Sequence, residues 1–176
     1  MSESFNLDPV SRITAGAVGE PGNRTFFIQA RKGEILVTLL VEKQQVHVLA
    51  STLTQLLESM GVDPDPAAAI DMDLEDPLLP EWRIGPMAIE VEEETGLFVF
   101  LAEEAVPADD DEDEAAVAVE GARARFVATR AQMRALADHA EEVVSAGRPR
   151  CQLCGFPIDP DGHTCPATNG HRAIET

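Results

Sequence analysis

Thr25-Phe26-Phe27-Ile28-Gln29-Ala30-Arg31 decides the fold. Phe26, Ile28 and Ala30 alternate with Thr25, Phe27 and Gln29, the period of two that marks a β-strand. Neither side of the alternation is cleanly polar, so burial on most sides is expected. The flanking sequence fits. Residues 12–18 and 34–41 read as strands to either side, with turn signals at Pro21-Gly22-Asn23 and Lys32-Gly33. Connections this short give an antiparallel meander. The period then changes: Val46, Leu49, Ala50, Leu53, Leu56, Leu57 and Met60 share one face of a helix over 44–60, and Gly61 supplies the stop.

The same order returns further on. Strands are expected at roughly 82–92, 95–103 and 115–128, with a hairpin turn at Glu94-Thr95-Gly96. Thr129 then reads as a helix N-cap and Gln132 completes a capping box, opening a helix that runs to about Ala146 with Gly147 at its end. Shifting the first helix by 87 residues places Val46 on Met133, Leu49 on Leu136 and Ala50 on Ala137. An internal duplication is one reading. The other is that any two amphipathic helices can be phased to match. Between the units, residues 62–80 mix Pro64, Pro66, Pro77 and Pro80 with acids and read as a linker or covering loop.

The expected fold class is therefore α+β: two pseudo-repeated antiparallel β-β-β-α units around one core, plus a small C-terminal zinc-knuckle tail. The body spans residues 1–147, with halves at about 10–61 and 81–147 and the acidic, proline-rich connector at 62–80. The tail spans 148–176.

Charge separates body from tail. The chain carries 13 Lys+Arg against 32 Asp+Glu, a net charge of −19. Only residues 148–176 are balanced, with three of each sign. A field of that sign repels nucleic acid and anionic lipid and favours a basic partner. The N-terminal residues lack a basic stretch followed by an apolar run, and Ile35–Val41 is too short to span a bilayer, so a cytoplasmic protein away from membranes is expected.

All three cysteines fall in the last 26 residues, beside histidines. In a reducing compartment that grouping reads as metal rather than disulfide. Cys151-Gln152-Leu153-Cys154-Gly155 has the form of a zinc knuckle. Two intervening residues let one tight turn aim both sulfurs at one ion, and Gly155 can take the left-handed conformation that frees N–H groups for the sulfurs. Cys165 is the remaining thiol and the third ligand. The fourth is His163, two residues before Cys165, with His171 as the alternative. Four protein ligands close the coordination sphere, which indicates a structural zinc site rather than a catalytic one.

The tail also carries a resemblance. Cys151 to Pro157, Asp159 to Pro166 and Asn169-Gly170, together with Phe5, Asp8, Pro9 and Val10 near the start, resemble an uncharacterised conserved-hypothetical family of high-GC actinobacteria. The resemblance spans the chain. Where that family often has Cys-Pro-Arg, this chain has Cys165-Pro166-Ala167. The family brings no biochemical function to transfer.

Other constellations are weaker. Asp71-Met72-Asp73-Leu74-Glu75-Asp76 and the run Asp109–Glu114 read as solvated acidic segments. For the first, a hard cation is the alternative. Arg123, Arg125, Arg130 and Arg134 form the one basic concentration in the body, suited to a phosphate or carboxylate unless neighbouring acids neutralise it. His47 and His139 lie outside the apolar stripes and read as surface residues, and Trp82 opens a strand and packs. No catalytic motif is present. The expected function is that of a non-catalytic interaction or scaffold protein with another protein as partner. The alternatives are an enzyme or binding protein for a phosphorylated or acidic small molecule at Arg123–Arg134, and nucleic-acid binding through the tail with Arg148, Arg150 and Arg172. The charge argues against the last.

Overall fold

The meander forms where the alternation places it. In the computed structural model, which describes residues 2–61, 70–106, 121–147, 149–156, 158 and 162–168, a short strand β1 (Phe5–Leu7) precedes β2 (Arg12–Val18), β3 (Thr25–Lys32), β4 (Ile35–Val41) and helix α1 (Lys43–Ser59). The order returns as β5 (Ile84–Val91), β6 (Phe98–Glu104), β7 (Arg123–Ala128) and α2 (Arg130–Ser145). The class is α+β, as expected. β7 begins at Arg123, and residues 107–120, which include the start of the strand expected from 115 and the acidic run at Asp109–Glu114, lie outside the described residues.

Two sheets result. In one, β3 is central, with Ala15 opposite Ile28 on β2 and Leu39 opposite Ile28 on β4. In the other, β5, β6 and β7 form an antiparallel meander, and β1 adds to β7 in parallel, Phe5 beside Ala124. The sheets are stitched together where the chain passes between them: Val10 N–H donates to the Val127 carbonyl at 2.8 Å, and Leu40 N–H donates to the Trp82 carbonyl at 2.9 Å. One apolar core joins their inner faces to the helices. It holds Ile13, Ile28, Leu39, Phe98, Phe126 and Leu136 among others. Phe100 and Phe126 stack there, centroids 5.8 Å apart.

Each helix buries most of the stripe that its spacing marks, but Met60, expected in the stripe of α1, is its C-cap and is exposed. Val46, Leu49, Ala50 and Leu53 of α1 are buried, as are Met133, Leu136, Ala137 and Ala140 of α2. Thr129 caps α2 as read from the sequence. Its side chain accepts from Gln132 N–H at 3.2 Å, and Gln132 Oε1 accepts from Thr129 N–H at 2.8 Å. α1 has the matching reach at its own start, Gln45 Oε1 accepting from Glu42 N–H at 2.9 Å. Trp82 is buried just ahead of β5 and donates its ring N–H to the Glu3 carbonyl, so it packs as expected. His47 is exposed, and His139 is half-buried on α2 with Glu142 3.9 Å away.

The described part of the connector, residues 70–80, is a covering strap. Thr14, Gln29 and Thr38 stand side by side on the outer face of β2–β3–β4, and all three are buried. The strap supplies their partners. Thr14 donates to the Met72 carbonyl at 2.6 Å, Gln29 Nε2 donates to the Glu75 carbonyl at 2.9 Å, and Glu75 N–H donates back to Gln29 Oε1 at 2.8 Å. Polar groups satisfied in this way can be buried at little cost. This cover is why Phe27 and Gln29 share the burial of Phe26 and Ile28. It also corrects the reading of 71–76 as merely solvated: Glu75 is held by Arg12 at 2.6 Å and by Arg31 at 2.5 Å.

Candidate metal centre

Past α2 the chain leaves the body through Pro149 and Arg150 and folds into a compact hook. Gly155 N–H donates to the Cys151 carbonyl, closing the turn through Gln152, Leu153 and Cys154, and Gly155 takes φ of 74°. That left-handed value is costly for a residue with a Cβ, which accounts for the glycine there. Cys151 N–H donates to the Phe156 carbonyl and Ile158 N–H to the Pro149 carbonyl, both at 2.8 Å, so the hook is pinned on both sides of Arg150.

The hook and the segment around His163 bring four side chains together. The ligand atoms of Cys151, Cys154, His163 and Cys165 all lie within 4.8 Å of one another, and together they could hold a metal ion. Cys151 and Cys165 are buried, while Cys154 and His163 are half-buried. Cys151 Sγ is 3.8 Å from Cys165 Sγ, and Cys154 Sγ is 3.2 Å from His163 Nε2. Zinc–thiolate bonds of about 2.3 Å at tetrahedral angles separate two sulfurs by about 3.8 Å, so the first distance is that of a coordination edge. The second lies inside the about 3.6 Å expected for a sulfur–nitrogen edge, a gap that a small ring movement closes. None of the three thiols is in a disulfide.

The electrostatics of the hook favour an anion at its first sulfur. The Cys154 and Leu153 N–H groups, bonded to Cys151 sulfur, hold that thiol down to about 7 from its ordinary 9.0. Burial pushes the Cys154 thiol up, against the opposing pull of the Phe156 N–H. Aimed backbone donors are the knuckle's usual means of supporting thiolates, which are the form that binds metal. Nδ1 of His163 is buried without a hydrogen-bond partner, and Nε2 is the nitrogen that faces the thiols.

The sequence placed all four of these residues in the ligand set. His171, its alternative fourth ligand, lies outside the described residues, as do Arg148 and Arg172. The arginines of the body are dispersed. Arg123 pairs with Glu103 at 3.3 Å, and Arg125 pairs with Asp8 and Glu92 at 3.0 Å each, beside a cavity of about 490 Å³ on the outer face of β7. Arg130 donates instead to the Leu57 and Gly61 carbonyls at the end of α1. Arg134 sits half-buried on α2. Another feature, a larger cavity where α1 begins and the tail departs, leaves no signal in the sequence, because the residues around it come from distant segments.

A family model described as "Protein of unknown function (DUF3090)" matches residues 5–165, a span that takes in all four clustered side chains. No curated protein matches, and no solved structure matches. No helix among the described residues is long and apolar enough to cross a membrane.

Proposed function

The chain belongs to the DUF3090 family, and from that premise we propose that it is a non-catalytic interaction protein whose tail is held by structural zinc. The observation that carries the reading is the convergence of three thiols and one imidazole within 4.8 Å. Sulfur-rich sets with one imidazole suit zinc better than magnesium or calcium, which take oxygen ligands. Four protein ligands leave no open position for water or substrate, so the ion would act as a crosslink. A cytoplasmic, reducing setting would keep the thiols available to the metal.

The interaction role draws support from the outside of the hook. Leu153 is 64% exposed and Phe156 58% exposed, both within the turn that zinc would stiffen. Large apolar side chains held rigidly in water are suited to burial against a protein partner, at little further ordering cost. The test is metal content and then capture. Protein purified without chelators should carry about one equivalent of zinc. Affinity purification from native lysate should retain a stable partner that Phe156→Ser releases. Less than about half an equivalent of zinc would overturn the metal reading, and repeated recovery of the bare protein would overturn the interaction role.

A further inference from the structure

A cavity of about 1110 Å³ opens where α1 starts, α2 ends and the tail departs. Its walls include Arg24 from the β2–β3 turn, Lys43 and His47 from α1, and Arg150 from the tail. The remaining basic side chains of the described residues are committed elsewhere. Arg12, Arg31, Arg83, Arg123 and Arg125 sit in ion pairs, Lys32 and Arg130 donate to backbone carbonyls, and Arg134 has an interaction of its own. The side chains of Arg24, Lys43 and Arg150 have neither hydrogen bond nor ion pair among the described residues, and all three line this one cavity. In a chain of net charge −19, three cationic side chains without an ion-pair partner at one place form a local basic patch.

We propose that this cavity binds a phosphorylated small molecule, and that the metal hook supplies one wall of it. Two acids reach the same space, and neither cancels the site. Glu42 is already engaged by Arg83, and Glu141 leaves the three cations in excess. The helix dipoles do not decide the matter, since the start of α1 and the end of α2 face the same cavity with opposite signs. Side-chain charge sets the preference of the cavity. A single carboxylate needs one arginine, whereas cations from three segments match the several charges of a phosphate or diphosphate. Gln44 and Ser145 offer hydrogen bonds to hydroxyls, and Phe26 and Val144 offer apolar wall. The volume suits a ligand up to the size of a nucleotide. Arg150 directly precedes the ligand Cys151, and the hydrogen bonds of the hook flank it on both sides. Zinc would therefore hold Arg150 in the wall, provided the hook binds zinc as proposed.

Calorimetric titration of the full chain with inorganic pyrophosphate tests the site. Saturable binding that weakens with salt is expected, with Arg24→Gln, Lys43→Gln and Arg150→Gln each weakening it about tenfold or more. Lys32→Gln, at the exposed end of β3, should bind as wild type does. Thermal melting of each variant checks its fold. Zinc-loaded wild type without saturable binding would overturn the site, as would variants that melt and bind like wild type. Citrate binding tighter than pyrophosphate would overturn the phosphate assignment. Chelated wild type should fall to the affinity of Arg150→Gln, and Arg150→Gln should not respond to chelation. Pyrophosphate binding equally strong with and without zinc would overturn the coupling while leaving the site standing.

Discussion

The sulfurs of Cys151 and Cys165 stand 3.8 Å apart although the residues are 14 apart in the chain. A disulfide would bring them to about 2.05 Å, and unrelated surface thiols would show no fixed separation. The distance matches that of two ligands on one tetrahedral ion, and Cys154 and His163 lie where they could supply the remaining two corners.

Removing a corner should therefore release the metal. Cys165→Ser and His163→Ala should each lower zinc affinity by more than the about 10–100-fold typical of losing an outer hydrogen-bond partner. His171→Ala should leave affinity unchanged. Competition titration with a chromophoric chelator measures all three. Zinc loss on His171→Ala with retention on His163→Ala would reassign the fourth ligand.

Glu75 should make the fold acid-sensitive. Its carboxyl is held below the ordinary 4.5, chiefly by the hydrogen bond from Arg31 and then by that from Arg12, with burial opposing. A carboxyl lowered in this way contributes stability above its unfolded value, near 4.5, and loses it as pH falls through the folded value. Urea unfolding from pH 7 down to pH 3 should show wild type losing stability below about 4.5 more steeply than Glu75→Gln. At pH 7 the substitution should cost about 1–2 kcal/mol, because two guanidiniums lose their shared partner. Parallel stability curves for the two proteins would show that the strap is not anchored there.

Thr129→Ala should cost about 1 kcal/mol by removing the acceptor for Gln132 N–H. In a domain of this size that lowers the melting temperature by about 2–4 °C. Calorimetry checks it. Thr129→Ser, which keeps the hydroxyl, should restore most of the loss.

Much of this was legible in the sequence because the signals are local. Alternation over Thr25–Arg31, helical spacing from Val46 and from Met133, and the Thr129/Gln132 box each lie within a few turns of chain. The Cys/His cluster was legible for the same reason at Cys151 and Cys154, and by residue chemistry at His163 and Cys165. What was not legible depends on distant partners. β1 is three residues long, too short to show a period, and is fixed by pairing to β7 across the whole body. Glu75 reads as one acid among several until Arg12 and Arg31 are seen on the same face. The convergence of Arg24, Lys43 and Arg150 leaves no trace in spacing, since three separate segments supply them.

The strap makes one steric contact that a single methyl group should disrupt. Gly16 lies on β2 beneath Leu74, and a Cβ at Gly16 would stand 2.5 Å from Leu74 Cγ and 2.6 Å from its Cδ1. The backbone at Gly16 belongs to an ordinary strand, so alanine is acceptable there in conformation and the conflict is one of space. Gly16→Ala must push Leu74 out of its seat, and the hydrogen bonds at Met72 and Glu75 to either side leave it little room to yield. The expected cost is about 1–3 kcal/mol. Leu74→Ala alone should also destabilise, by uncovering the sheet. In the Gly16→Ala/Leu74→Ala double variant the new methyl occupies space the isobutyl group has vacated. The pair should therefore be more stable than the sum of the singles, with a coupling of at least about 0.5 kcal/mol by denaturant melts. Simple additivity would mean that Leu74 does not rest on Gly16 in solution.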